Sequence, residues 1–125
     1  MRSIMLCGAV LLWMAVPAAA QDPVKVDPAH HKVEFENDQV RVLRVTLSPG
    51  EKTPAHEHPA GVAVFVNDSK NRVTPVGGKP DETPRKAGSV IELKAVTHTV
   101  ENAGATGSEV IVIELKGGTA AASKK

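Results

Sequence analysis

Between residues 33 and 116 the sequence is a succession of short valine-rich runs, each closed within four to nine residues by turn-forming chemistry. The breaks are Asn37-Asp38, Ser48-Pro49-Gly50, Asn67-Asp68, Gly77-Gly78 with Pro80, Ala87-Gly88, and Gly104 with Gly107. β-Branched side chains fit a pleated surface, and Gly, Pro, Asn and Asp supply the turns between strands. Regularly spaced short strands of this kind point to an all-β sandwich or barrel. No stretch repeats apolar residues at i, i+3, i+4 and i+7, so little helix is expected.

Strands are expected at 33–36, 39–47, 63–66, 72–76, 90–93, 98–101 and 109–116. In the second, apolar parity switches between Val42 and Leu43, which a bulge or bend at that point would accommodate. The last strand carries Val110-Ile111-Val112-Ile113 in succession, the pattern of a strand buried on both faces. Gly77-Gly78 reads as a hairpin turn. Residues 21–32 read as an N-terminal arm and 117–125 as a disordered tail.

Residues 1–20 have the form of a secretory signal peptide: Arg2, an apolar run from Ile4 to Val16, and Ala18-Ala19-Ala20 before the expected cleavage point. The expected location is therefore periplasmic or secreted, with no membrane association after cleavage. The segment holds Cys7, Trp13 and all three Met of the chain. Residues 21–125 thus have no thiol for a disulfide, a nucleophile or a Cys-ligated metal. They carry 14 basic and 14 acidic residues, and their aromatic side chains are Phe35 and Phe65. Without a basic stripe or a stacking platform, nucleic acid is not an expected partner. The 16 Val, 3 Ile, 4 Leu and 2 Phe after residue 20, at roughly 1.5–3 kcal/mol each when buried, are enough for one small domain and not two.

The chemistry concentrates at His56-Glu57-His58 and at His98. In an extended segment, side chains alternate, so His56 and His58 share a face while Glu57 points away. Two imidazoles on one face, met by a third from another strand, form a half-site for a divalent metal. No Ser-His-Asp order, phosphate-cradling glycine loop or carboxylate pair stands out.

The flanking residues sharpen this. Gly50 to His58 reads G-x5-H-x-H and His98 to Asn102 reads H-x3-N. The sequence here resembles the cupin superfamily, over roughly residues 33–116, and within it the small single-domain bacterial cupins of the type-2, β-alanine-degradation-like group. The resemblance implies a single-domain jelly-roll β-barrel in which His56, His58 and His98 are metal ligands. The glutamate of the first cupin motif falls at Val62 or Ala63, neither of which binds metal, and the Pro and Gly of the second fall at Leu93 and Ala95. What remains is a three-His site for Zn, Mn, Fe, Ni or Cu. An oxidising compartment disfavours loosely held Fe(II). The implied activity is on a small organic acid, by dioxygenase-like or isomerase-like chemistry. The alternative is a non-catalytic ligand- or metal-binding module. Homodimerisation through a sheet face or edge is the expected assembly.

Other residues carry secondary expectations. His30-His31 belong to an exposed arm, Arg41 and Arg44 to solvated strand positions, and Glu114 to a strand end near solvent. Asn102 is expected to close a turn on backbone groups. Val62, Val64 and Val100 are expected in the pocket wall.

Overall fold

A computed structural model describes residues 21–117; the expected signal peptide and all of the expected tail but Gly117 lie outside them. After a short helix α1 (Pro23–Val26) come eight strands: β1 (His31–Glu36), β2 (Val40–Leu47), β3 (His56–His58), β4 (Gly61–Phe65), β5 (Asn71–Pro75), β6 (Val90–Leu93), β7 (Val96–Asn102) and β8 (Ser108–Leu115). They form a five-stranded sheet in the order β1-β2-β8-β4-β6 and a three-stranded sheet in the order β3-β7-β5, with every strand pair antiparallel. Facing sheets of this kind bury one side of each strand between them, which makes a jelly roll. The expected strands are all present to within two residues at each end. The added one is β3, where the histidine pair was read as extended but not as a sheet member.

The inner face of the larger sheet supplies the core: Leu43 and Val45 from β2, Ala63 and Phe65 from β4, Val110 and Val112 from β8, with Ile91 and Leu93 of β6 packed on them. Three expectations change here. The β2 register with β8 runs unbroken from Val40 to Leu47, and the irregularity lies in β1, between Val33 and Phe35. Leu43, Val45 and Leu47 are buried by simple alternation, so Val40 and Val42 turn outward and Arg41, not a valine, takes the inner position. β8 also alternates, with Val110, Val112 and Glu114 buried and Ile111 and Ile113 half-buried; its apolar run reflects one buried face and one partly covered face. On β4 the inward residues are Gly61, Ala63 and Phe65, which places Val62 and Val64 outside the pocket.

Two connections fix the strands that bear the site. Thr53 is buried and pairs with β7 twice, its N–H donating to Val100 O at 2.8 Å and its Oγ1 accepting from Val100 N at 2.9 Å. This pins the chain to β7 three residues before His56. Asn102, also buried, donates from Nδ2 to Leu47 O and Thr106 O and accepts Gly104 N–H on Oδ1. It closes the β7–β8 turn onto the end of β2, the backbone role expected of it. The arm expectation does not hold: α1 is capped by Asp22 Oδ1 accepting from Val24 N at 2.9 Å, Pro23 is buried, and His31 opens β1.

Candidate metal centre

β3 lies against β7 with His56 directly opposite His98 and His58 opposite Val96. Alternation turns His56 and His58 inward, where both are buried, and leaves Glu57 exposed, as the spacing implied. The ring centroids of His56 and His98 are 4.8 Å apart, those of His56 and His58 4.8 Å, and those of His58 and His98 5.3 Å. The three expected histidines therefore converge.

A fourth joins them. His31 pairs with Val45 in the β1–β2 ladder, and residues directly opposite in a ladder share a face, so its ring enters the barrel on the core side. It is 2% exposed, and its ring centroid is 4.7 Å from that of His56. Nitrogen atoms of His31, His56 and His58 all lie within 4.8 Å of one another. The expectation that His30-His31 form an exposed arm is corrected for His31; His30, half-buried, turns away to Asp27 and Glu51.

Hydrogen bonds select one nitrogen of three of the rings. Nδ1 of His56 donates to Pro54 O at 2.9 Å, Nδ1 of His58 donates to Glu114 Oε2 at 2.6 Å, and Nδ1 of His31 faces Asp27, with its carbonyl O and Oδ2 both at 3.2 Å. Nδ1–H bonds of this kind fix the tautomer that leaves the Nε2 lone pair free, the arrangement found around metal-ligating imidazoles. Nε2 of His56 and Nε2 of His98 are buried with no hydrogen-bond partner. A buried, unpartnered polar atom is unfavourable by about 1–3 kcal/mol, and a cation between them would satisfy both. The donor set fits a divalent transition metal.

Behind His58 stands a relay that the sequence reading missed. Glu114 is 2% exposed, not a solvated strand end, and its second oxygen accepts from Arg41 Nε at 2.7 Å. Arg41 in turn donates from Nη1 to Asp22 Oδ2 at 2.8 Å. Burial alone would push the Glu114 carboxyl up, but the bonds from His58 and Arg41 hold it below the usual carboxylate value. It is thus the anion that orients His58. Arg44 faces outward to Glu34 and Glu109, the solvated strand role expected for it.

Burial is also the main influence on the other imidazoles, holding His56 down to about 4 and His98 down to about 3, with His31 lowered as well. All three are neutral near pH 7, the form that binds metal. With folded values below the unfolded 6.5, the stability these groups confer is fully present above 6.5 and is lost as pH falls toward 4 and 3, because only the unfolded chain takes up protons there. Metal-free protein is expected to lose stability between pH 6.5 and 4 by up to about 1.4 kcal/mol per pH unit for each of His56 and His98. Urea midpoints at pH 7, 6 and 5 check this; a flat profile, or the same slope in His98→Ala, would contradict it.

The histidines open on a cavity of about 280 Å³ between the sheets, walled by Val45, Leu47, Phe65, Val73, Val100 and Val110. Val100 was expected there. A concave, mostly apolar space with a few convergent polar groups is the usual form of a small-molecule site.

The two antiparallel sheets, closed around the histidines, make a jelly-roll barrel whose fold is that of the solved cupin, double-stranded β-helix structures. A cupin domain from Bordetella pertussis Tohama I superposes with a TM-score of 0.63 at 24% identity, over 69% of this chain and 91% of that one. An RmlC-like cupin from Methanocaldococcus jannaschii gives 0.56 at 18% identity, over 68% and 79%. The polyketide cyclase RemF from Streptomyces resistomycificus gives 0.53 at 19% identity, over 68% and 63%. At these identities the likeness is one of fold. No family model and no curated protein matches the sequence.

Proposed function

We propose that this chain is a small single-domain cupin that holds a divalent transition metal, Zn, Mn, Fe, Ni or Cu, through His56, His58 and His98, with His31 as a fourth nitrogen donor. The observation that carries this reading is the pair of buried, unpartnered Nε2 atoms on His56 and His98. Bound there, the metal supplies Lewis acidity or redox chemistry. The chain's own groups do the rest: Pro54, Asp27 and Glu114 fix the ring orientations, and the apolar walls exclude water from a small organic acid held beside the histidines. In this proposal the protein is exported, works in the periplasm or outside the cell, takes a small molecule as partner, and pairs with a second copy. Dioxygenase-like or isomerase-like turnover fits such a site.

A second reading, a binding module without turnover, is favoured by one observation. Neither Arg44 nor Glu114 lines the cavity, so neither offers a base or a charged anchor to a ligand held there.

The test is metal content by mass spectrometry on the full chain, expressed for export and purified without chelator or affinity tag. Near one metal per chain is expected, lost in the His56→Ala, His58→Ala, His98→Ala triple variant and held at least ten-fold more weakly in His31→Ala. No metal in the unsubstituted protein after reconstitution with Mn, Fe, Ni, Cu and Zn would overturn the metal reading and leave the binding module.

A further inference from the structure

The cavity has a second chemical feature, at some distance from its histidines. The connection between β5 and β6 is extended, and alternate residues of it, Lys79, Asp81, Thr83 and Arg85, line the cavity. It is strapped down by two antiparallel bridges: Val73 and Asp81 exchange N–H···O bonds of 2.9 Å, and Ser69 and Arg85 exchange bonds of 2.9 and 2.8 Å. Arg85 is therefore held by its backbone on a fixed segment. Its guanidinium stands over the Phe65 ring, 5.9 Å from the centroid.

What separates Arg85 from the other described arginines is its partners. Arg41, Arg44 and Arg72 each pair with two carboxylates. Arg85 has one, Asp81, and its Oδ2 is 3.7 Å away, beyond hydrogen-bond reach. Asp81 is turned back on its own strap, where its Oδ1 accepts from Thr83 N at 3.1 Å and Thr83 Oγ1 at 2.6 Å. At that distance the ring face attracts the cation without taking up its N–H groups, and with no carboxylate in hydrogen-bond range the N–H fork is available to match a ligand carboxylate. Lys79 adds a second cation, and these two are the only Lys or Arg side chains among the described residues that line the cavity.

Position decides which end of a ligand meets them. Along β4, Phe65 pairs with Val110 and Gly61 with Glu114, the residue behind His58. Val110 in turn pairs with Val45 and Val45 with His31, so Phe65, with the arginine over it, and His31 stand at one level on strands three spacings apart, about 14 Å, with Val45 and Val110 between them.

We propose that the ligand is a monocarboxylate with an apolar body, its carboxylate bound by Arg85 and Lys79 at the strap and its far end directed to the histidines. This deepens the proposed function and rests on it for the role of the far end, while the anion site stands on Arg85 alone.

The probes are octanoate and its uncharged counterpart 1-octanol, titrated at pH 7.5 by calorimetry into the metal-loaded full-chain protein, into Arg85→Gln and Lys79→Gln, and into His98→Ala. Octanoate is expected to bind at least ten-fold more tightly than octanol. Arg85→Gln should reduce that ratio below about two with octanol affinity unchanged, Lys79→Gln should reduce it partly, and His98→Ala should preserve it. Equal affinities, no octanoate binding, or a preference that survives Arg85→Gln would overturn the proposal. A preference lost in His98→Ala but kept in Arg85→Gln would put the carboxylate on the metal and overturn it too. Absence of metal with the Arg85-dependent preference intact would sink the metal reading and leave the anion site standing.

Discussion

Replacing Glu114 by alanine is expected to weaken metal binding about ten- to hundred-fold, the range seen when the group behind a ligating histidine is removed, and to destabilise the fold at the same time. The carboxylate is buried and accepts from both His58 and Arg41. Without it, His58 loses the acceptor that orients its ring, and the Arg41 guanidinium, 17% exposed, keeps only Asp22. Breaking a buried pair by removing one partner typically destabilises by about 3–5 kcal/mol. Arg41's residual exposure and its Asp22 bond bring the expectation toward about 2–4 kcal/mol. Glu114→Gln keeps an acceptor for His58 and should lose less of both. Metal titration and urea unfolding of the two variants check this; an unchanged affinity in Glu114→Ala would show that His58 needs no orienting partner.

Gly61→Ala is expected to destabilise by about 3 kcal/mol or more, at or above the upper end of overpacking effects. A β-carbon there would sit 2.0 Å from the carbonyl oxygen of Ile113 and 3.0 Å from its carbon. Those are backbone atoms of β8, which cannot step aside as a flexible side chain can. Intrinsic preference alone has the opposite sign, since alanine in a strand gains roughly 0.5–1 kcal/mol over glycine. A urea midpoint above that of the unsubstituted protein would therefore show that β4 and β8 do not approach this closely. Because Gly61 pairs with Glu114, the same variant should weaken metal binding by shifting the strand that carries the relay.

Much of the site was legible because β-strand alternation is local. The H-x-H spacing alone put His56 and His58 on one face and Glu57 on the other, and His98, opening its expected strand, was the third member. Glu114 was legible in principle: it comes after Val110 and Val112 at a period of two. The intervening Ile111 and Ile113 hid that period, since both faces of the strand read as apolar. His31 had a fainter signal. Continuing the β1 alternation back from Val33 by two residues reaches it, but nothing nearby requires the strand to begin so early, and the adjacent prolines at 23 and 28 suited an arm as well. The β2 parity was misread for a related reason. Val40 and Val42 looked like core, and only pairing with Glu114 gives an inward Arg41 its partner.

The sequence by itself determined the class of fold, the strand positions and the histidine pair, because turn residues and the two-residue period of a strand depend on neighbours along the chain. Tertiary structure decided which fourth histidine meets them, which carboxylate stands behind, and which arginine remains without a close partner. The first two of those outcomes depend on contacts between residues far apart in the chain, His31 with His56 across 25 positions and Glu114 with His58 across 56. They are fixed by register and by the crossing of two sheets, which no local pattern encodes.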